Sequence, residues 1–113
     1  MPPEDVIRLR HMLDSAQEAV GLIKEKSRQD LDADRLLSLA LVRLLEIVGE
    51  AASRVTIPSR QGCSDIPWAQ IISLRNRLIH GYDAIDLDIL WQILSEDLPA
   101  LITQLKRIIK SQD

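Results

Sequence analysis

Leu74-Arg75-Asn76-Arg77-Leu78-Ile79-His80-Gly81-Tyr82 is the stretch on which the reading of this chain turns. Ile71, Leu74 and Leu78 recur at three and four residues, the spacing of one apolar helix face. Gly81 is a natural helix stop, because glycine takes the left-handed cap conformation without steric cost. His80 then falls in the last turn, where the helix dipole favours a cation. On a wheel of about 100° per residue, Arg75 lies inside the apolar arc of Trp68, Ile71, Leu74, Leu78 and Ile79. Arginine is almost never buried alone. Arg75 is therefore expected to be paired, or to face a polar cleft or a subunit interface. Asn76 and His80 lie four apart and share the other, polar side with Ser73.

Working upstream, Pro67 suits the first turn of this helix, with Asp65 as a cap. Thr56 to Ile66, holding Pro58, Gly62, Cys63 and Ser64, reads as a loop. Before it, Leu36 to Val55 is apolar on more than one side, with Leu37, Leu41, Leu44, Val48 and Ala51 in one line and Leu36, Leu39, Val42, Leu45 and Ala52 broadening it. Such a helix is central in a bundle or faces a second subunit. Asp32 or Asp34 can cap it. Gly49 costs about 1 kcal/mol in mid-helix, which makes sense where a neighbouring backbone passes close. Glu50 and Arg54 are spaced to pair at i and i+4. Glu46 and Glu50 are the nearest plausible carboxylate partners for Arg75.

The first helix carries Val6, Leu9, Leu13, Ala16, Val20 and Ile23 on one stripe, with Glu4 and Asp5 suiting its first turn. The charged run Lys24 to Asp30 reads as a solvated end or loop. His11 lies off the stripe and reads as a surface histidine. Downstream, the polar stretch Tyr82 to Asp86 links to a last helix whose stripe runs Leu87, Leu90, Trp91, Leu94, Leu98, Leu101, Leu105 and Ile108, with Pro99 expected to bend it. Lys106, Arg107 and Lys110 collect at its end, where the dipole favours them; an RNA contact there is as good a reading.

The 113 residues suit one domain. Hydrophobic residues make up 46% but aromatics only 3%, with no Phe, so the core is built from Leu, Ile, Val and Ala, as packed helices prefer. Helices with short connections fit an antiparallel bundle of four or five helices, an all-α fold. The net charge of −3 argues against a general, sequence-independent nucleic-acid binder, though a small basic cleft within an acidic molecule remains compatible with RNA. Cys63 is the single cysteine and has no zinc-ligand companion. No signal peptide or membrane-length apolar run is present, so a reduced, cytoplasmic protein is expected, with no membrane association. Neither a Gly-rich phosphate loop nor a metal-spaced carboxylate or histidine cluster occurs, so neither metal nor cofactor is expected.

The order Arg75-Asn76-x3-His80-x-Tyr82 resembles the signature of the HEPN superfamily, and in its tyrosine the HepT-like branch with its Arg-x4-His-x-Tyr form. Leu44-Leu45-Glu46-Ile47-Val48-Gly49-Glu50-Ala51 is similar to that family's Gly-Glu-Ala helix. Ile66-Pro67-Trp68 precedes the motif at the usual place, and Asp86-x-Asp88-x2-Trp91 followed by Leu98-Pro99-x-Leu101 resembles the family's last helix. The resemblance covers most of the chain. It implies a single HEPN-like helical domain over residues 1–113 and a metal-independent endoribonuclease, the toxin paired with a minimal nucleotidyltransferase antitoxin. It also implies a homodimer with a composite active site, acting on RNA such as tRNA or mRNA. Tyr82 would correspond to the tyrosine to which the partner adds AMP.

Metal-free RNA cleavage needs a base at the 2′-OH, an acid at the leaving 5′-oxygen and a cation for the phosphorane-like transition state. His80 supplies acid–base chemistry near neutral pH. Arg75 supplies a planar fork matched to phosphate oxygens. Asn76 positions substrate or holds the His80 ring, and Arg77 is a weaker candidate for a backbone contact. Arg75 and His80 lie about 140° apart on a regular helix, so a compact site asks for distortion at the helix end or for a second chain. The alternative reading is a catalytically silent HEPN subunit that dimerises and binds the nucleotidyltransferase.

Overall fold

The computed structural model describes residues 1–82 and 84–113. The expected all-α bundle is present, joined by one very small sheet. Its helical runs are α1 (Pro3–Leu22), α2 (Arg28–Ala33), α3 (Arg35–Ser53), α4 (Ile57–Gly62), α5 (Trp68–Ile72), α6 (Leu74–Leu78), α7 (Leu87–Gln92) and α8 (Leu98–Ser111), with a π turn at Ile93–Asp97 between the last two. Strands β1 (Ile79–His80) and β2 (Ala84–Ile85) form an antiparallel hairpin.

α1 starts where proline and acidic residues favour a first turn. It packs against α3 and α8. Its buried face is centred on Leu9, Met12, Ala16 and Ala19, while Leu13, Val20 and Ile23 pack at the edge. The sequence stripe was thus rotated slightly: it left out Met12 and Ala19, which sit at its middle. α3 is the central helix, capped as expected by Asp34, whose carboxylate accepts from Leu37 N–H at 3.0 Å. Leu41, Leu45, Val48 and Ala52 are buried on it. Each fully buried leucine contributes on the order of 2 kcal/mol of burial free energy. Leu36, at the start of α3, stays 79% exposed.

Two connections are more ordered than the sequence suggested. The run Lys24–Asp30 contains the start of α2, because Ser27 and Asp30 form a capping box. There Ser27 N–H donates to the Asp30 carboxylate at 2.6 Å. The segment Thr56–Ile66 contains α4, with Pro58 in its first turn. Arg60 reaches back from α4 to end α3: its Nε donates to Val55 O at 2.9 Å and its Nη2 to Ser53 O at 2.7 Å. Trp68 Nε1 then donates to the carbonyls of Arg60 and Cys63, both at 3.1 Å, which fixes the entry to α5. Asp65 does not cap that helix; Pro67 occupies the N-cap position.

Asp5 is the buried polar anchor of this end of the molecule, 1% exposed. Its carboxylate accepts from Thr56 N–H at 3.1 Å, from Thr56 Oγ1–H at 2.6 Å and from Ser59 Oγ–H at 2.6 Å. Burial raises its pKa, but the hydrogen bonds from Ser59 and Thr56 outweigh this and leave it below the usual carboxylate value.

The last helical run departs from α geometry before Pro99. Proline offers no N–H to the carbonyl four residues back and its ring crowds that carbonyl. The departure takes the form of the π turn Ile93–Asp97, after which α8 resumes. Among the described residues, no helix is long and apolar enough to cross a membrane.

Candidate functional site

The motif does not lie on one helix. α5 ends at Ile72 and α6 begins at Leu74. Ser73 separates them: its Oγ donates back to Ala69 O at 2.8 Å and Gln70 O at 3.2 Å, bonds that compete with the helix ladder and bend it. Arg75 is not buried but 69% exposed, with Nε 3.9 Å from Glu46 Oε1. The expected carboxylate partner is present, but the side chain is not inward. Ile71, Leu74 and Leu78 keep their buried stripe across Ser73, and Arg75 lies at the edge of that stripe, over the groove to α3.

α6 stops at Leu78, two residues before His80, so His80 is not in a helical last turn. It lies in β1, opposite Ala84, while Ile79 stands opposite Ile85. Strand alternation turns the isoleucine pair toward the core and His80 and Ala84 outward. Gly81 has φ +80°, so its left-handed freedom is required, but for the hairpin turn rather than for a helix cap. Tyr82 follows in that turn and is fully exposed.

The hairpin register also carries a contact that the motif alone did not predict. The ladder continues beyond Ile85, with Asp86 N–H donating to Leu78 O at 2.8 Å. Asp86 is thus a diagonal neighbour of His80 on the outward face. Its Oδ2 lies 3.9 Å from His80 Nε2, and its Oδ1 accepts from Ile89 N–H at 3.0 Å, capping α7. The hairpin itself had a sequence signal: Ile79 and Ile85, both β-branched, flank a short Gly-containing connection. A strong helical period immediately upstream masked it.

Arg75 lines a groove with Glu46, Gly49, Glu50, Ser53 and Ile72. This groove exists because α3 and the α5–α6 break pass very close. A Cβ on Gly49 would meet Ile71 O at 2.8 Å, so the mid-helix glycine is required by a neighbouring backbone, as expected. Glu50 pairs with Arg54 at 3.4 Å, and Glu46 with Arg43 at 3.6 Å as well as with Arg75. His80 is not among the residues lining the groove. The structure thus brings Arg75 to Glu46 of α3 and His80 to Asp86, in each pair an exposed cation-forming side chain beside a half-buried carboxylate. Asn76 is exposed beside them. Arg77 turns to the other side, toward the π turn before α8, with Nη2 3.8 Å from Asp97 Oδ2. Cys63 is half-buried, and burial pushes its thiol pKa up, away from a reactive thiolate.

Chemically, the segment offers an exposed guanidinium, an exposed imidazole with a carboxylate behind it, and a free phenol within eight consecutive residues, Arg75 to Tyr82. That set suits an anionic substrate and proton transfer. The family model described as Ribonuclease HepT-like matches residues 12–108. The protein named "Putative RNase TTE0752" from Caldanaerobacter subterraneus subsp. tengcongensis is 33% identical over 104 residues, covering 92% of this chain and 93% of that protein. The protein named "Probable ribonuclease HepT" from Thermococcus cleftensis is 32% identical over 102 residues, covering 87% and 93% respectively. No solved structure matches the chain. The chain belongs to the HepT-like ribonuclease family.

Proposed function

We propose that this protein is a metal-independent endoribonuclease, the toxin of a toxin–antitoxin pair, working as a homodimer whose two chains share one cleft. His80 acts as acid or base and Arg75 steadies the charge on the phosphorane-like transition state, with Asn76 positioning substrate. A minimal nucleotidyltransferase antitoxin silences the enzyme by adenylylating Tyr82. The observation that carries this reading is the exposure of all three motif side chains: Arg75 is 69% and His80 61% exposed, and Tyr82 is fully so. None of them serves the core, and the only tyrosine of the chain stands at a hairpin tip, where a modifying enzyme can reach it. An AMP group there adds bulk and negative charge at the edge of the site, which excludes RNA by sterics and repulsion.

A dimer answers the chemistry that one chain cannot. A single imidazole does not easily serve both ends of an in-line displacement. Arg75 also shares its groove with the carboxylates of Glu46 and Glu50, so in one chain that groove repels phosphate as much as it attracts it. This acidity is also the observation that favours the second reading, a catalytically silent subunit that binds the nucleotidyltransferase. RNA cleavage by the purified, unmodified protein in EDTA separates the two. The ribonuclease reading predicts cleavage that Arg75→Ala and His80→Ala each abolish, with circular dichroism unchanged. A dimeric, unmodified wild type that leaves total RNA and tRNA intact would move the assignment to the silent subunit.

A further inference from the structure

We infer that Asp86 is a positioning residue for His80: it selects which imidazole nitrogen carries the proton and leaves Nδ1 free toward substrate. This rests on His80 being the proton-transfer group of the proposed ribonuclease. The pairing Ile79↔Ile85 and His80↔Ala84, continued by the 2.8 Å bond from Asp86 N–H to Leu78 O, puts Asp86 diagonally across from His80 on the same outward face. Between them stands Ala84, whose small side chain leaves the space open.

Asp86 is itself held. Its Oδ1 accepts from Ile89 N–H at 3.0 Å as the N-cap of α7, so its second oxygen is oriented by the helix and not by chance. That second oxygen is the one 3.9 Å from His80 Nε2. The distance is an electrostatic contact that a small turn of an exposed imidazole closes to a hydrogen bond, as such contacts commonly do when substrate binds. Asp88, two residues on, cannot take this role: its Oδ1 accepts from Arg28 Nε at 2.8 Å on the other side of the helix start. An ionised carboxylate can only accept. It therefore favours the neutral tautomer with hydrogen on Nε2, and it stabilises the imidazolium once Nδ1 has taken a proton.

The test uses a substitution that keeps the cap and inverts the signal. In Asp86→Asn the amide oxygen still accepts from Ile89 N–H, since asparagine caps as well as aspartate. The amide NH2 then faces His80 and meets Nε2 only as an acceptor, so hydrogen moves to Nδ1. The readout is the ¹⁵N spectrum of the imidazoles of the full-length protein in alkaline buffer, with His11 as internal reference, beside kcat and KM for RNA cleavage. The expected result is Nε2–H in wild type, a shift to Nδ1–H in Asp86→Asn, and a fall in kcat of about ten- to a hundredfold with KM little changed. Asp34→Asn, the same exchange at the cap of α3, should change neither. An unchanged His80 spectrum in folded Asp86→Asn would overturn the proposal. If no variant cleaves RNA, the ribonuclease reading fails, while the spectrum still decides whether Asp86 orients His80.

Discussion

The two ends of this molecule handle polar side chains in opposite ways. Where α1 meets α4, the Asp5 carboxylate is buried and receives three hydrogen bonds of 2.6 to 3.1 Å. Along the motif, Arg75 and His80 are exposed and each stands 3.9 Å from its carboxylate. The first arrangement is closed: every lone pair that matters has a donor, and nothing is left for a ligand. The second is open, since its groups are oriented but not saturated. A saturated polar cluster contributes to folding, and removing it costs stability. An unsaturated one contributes little to folding and keeps its bonding capacity for substrate.

That contrast predicts opposite phenotypes. His80→Ala should lower RNA cleavage by about a thousandfold, the scale of general acid–base catalysis. Its denaturation midpoint should move by no more than about 0.5 kcal/mol, as for an exposed site. A large loss of stability would break the comparison. Asp5→Ala should do the reverse. It strands the Thr56 and Ser59 donors and is expected to cost about 2 to 3 kcal/mol in chemical denaturation while leaving activity per folded molecule unchanged.

The same cluster sets a pH dependence. The folded Asp5 pKa lies below its unfolded value, so the unfolded state binds more protons in acid. Its stabilisation is fully present above the unfolded carboxylate pKa of about 3.9 and is lost as pH falls through the lower folded value. Urea melts between pH 6 and pH 2 should show a smaller acid loss in Asp5→Ala than in wild type.

Much of the fold was legible because helices announce themselves by period. The stripes of α1, α3 and the α7–α8 run, the Asp34 cap and the close approach at Gly49 could all be read from residue spacing. The site was legible by residue type but not by geometry. Ile71, Leu74 and Leu78 stay buried as their spacing predicts, but a wheel does not show where the apolar arc meets an open groove, and Arg75 at that edge is exposed. The hairpin at Ile79–Ile85 is too short for alternation to outweigh the helical period before it. Asp5 was read as a first-turn acid because its partners, Thr56 and Ser59, are more than fifty residues away. Such a contact leaves no local trace in sequence.

Two smaller effects sharpen the comparison within the scaffold. Gly49→Ala must push against the Ile71 carbonyl and is expected to cost about 1 to 3 kcal/mol, whereas Gly21→Ala, with nothing within 4 Å of the new methyl, should be neutral or gain up to about 1 kcal/mol. Equal effects at the two glycines would contradict the close packing of α3 on α5. The smallest change expected is Leu36→Ser, within about 0.5 kcal/mol at this exposed position. A larger, concentration-dependent drop would instead identify the outer face of α3 as a subunit contact.

The shared cleft is tested most directly by giving it one inactive chain. Wild type is unfolded and refolded with an excess of His80→Ala protein, so that nearly every intact chain sits in a mixed dimer, confirmed by native mass spectrometry. A cleft that draws on the imidazoles of both chains then holds only one. RNA cleavage in EDTA, per wild-type chain, is predicted to fall about as far as in His80→Ala itself. Full activity per wild-type chain in the mixed dimers would show that each chain cleaves with its own residues, and would contradict the shared cleft.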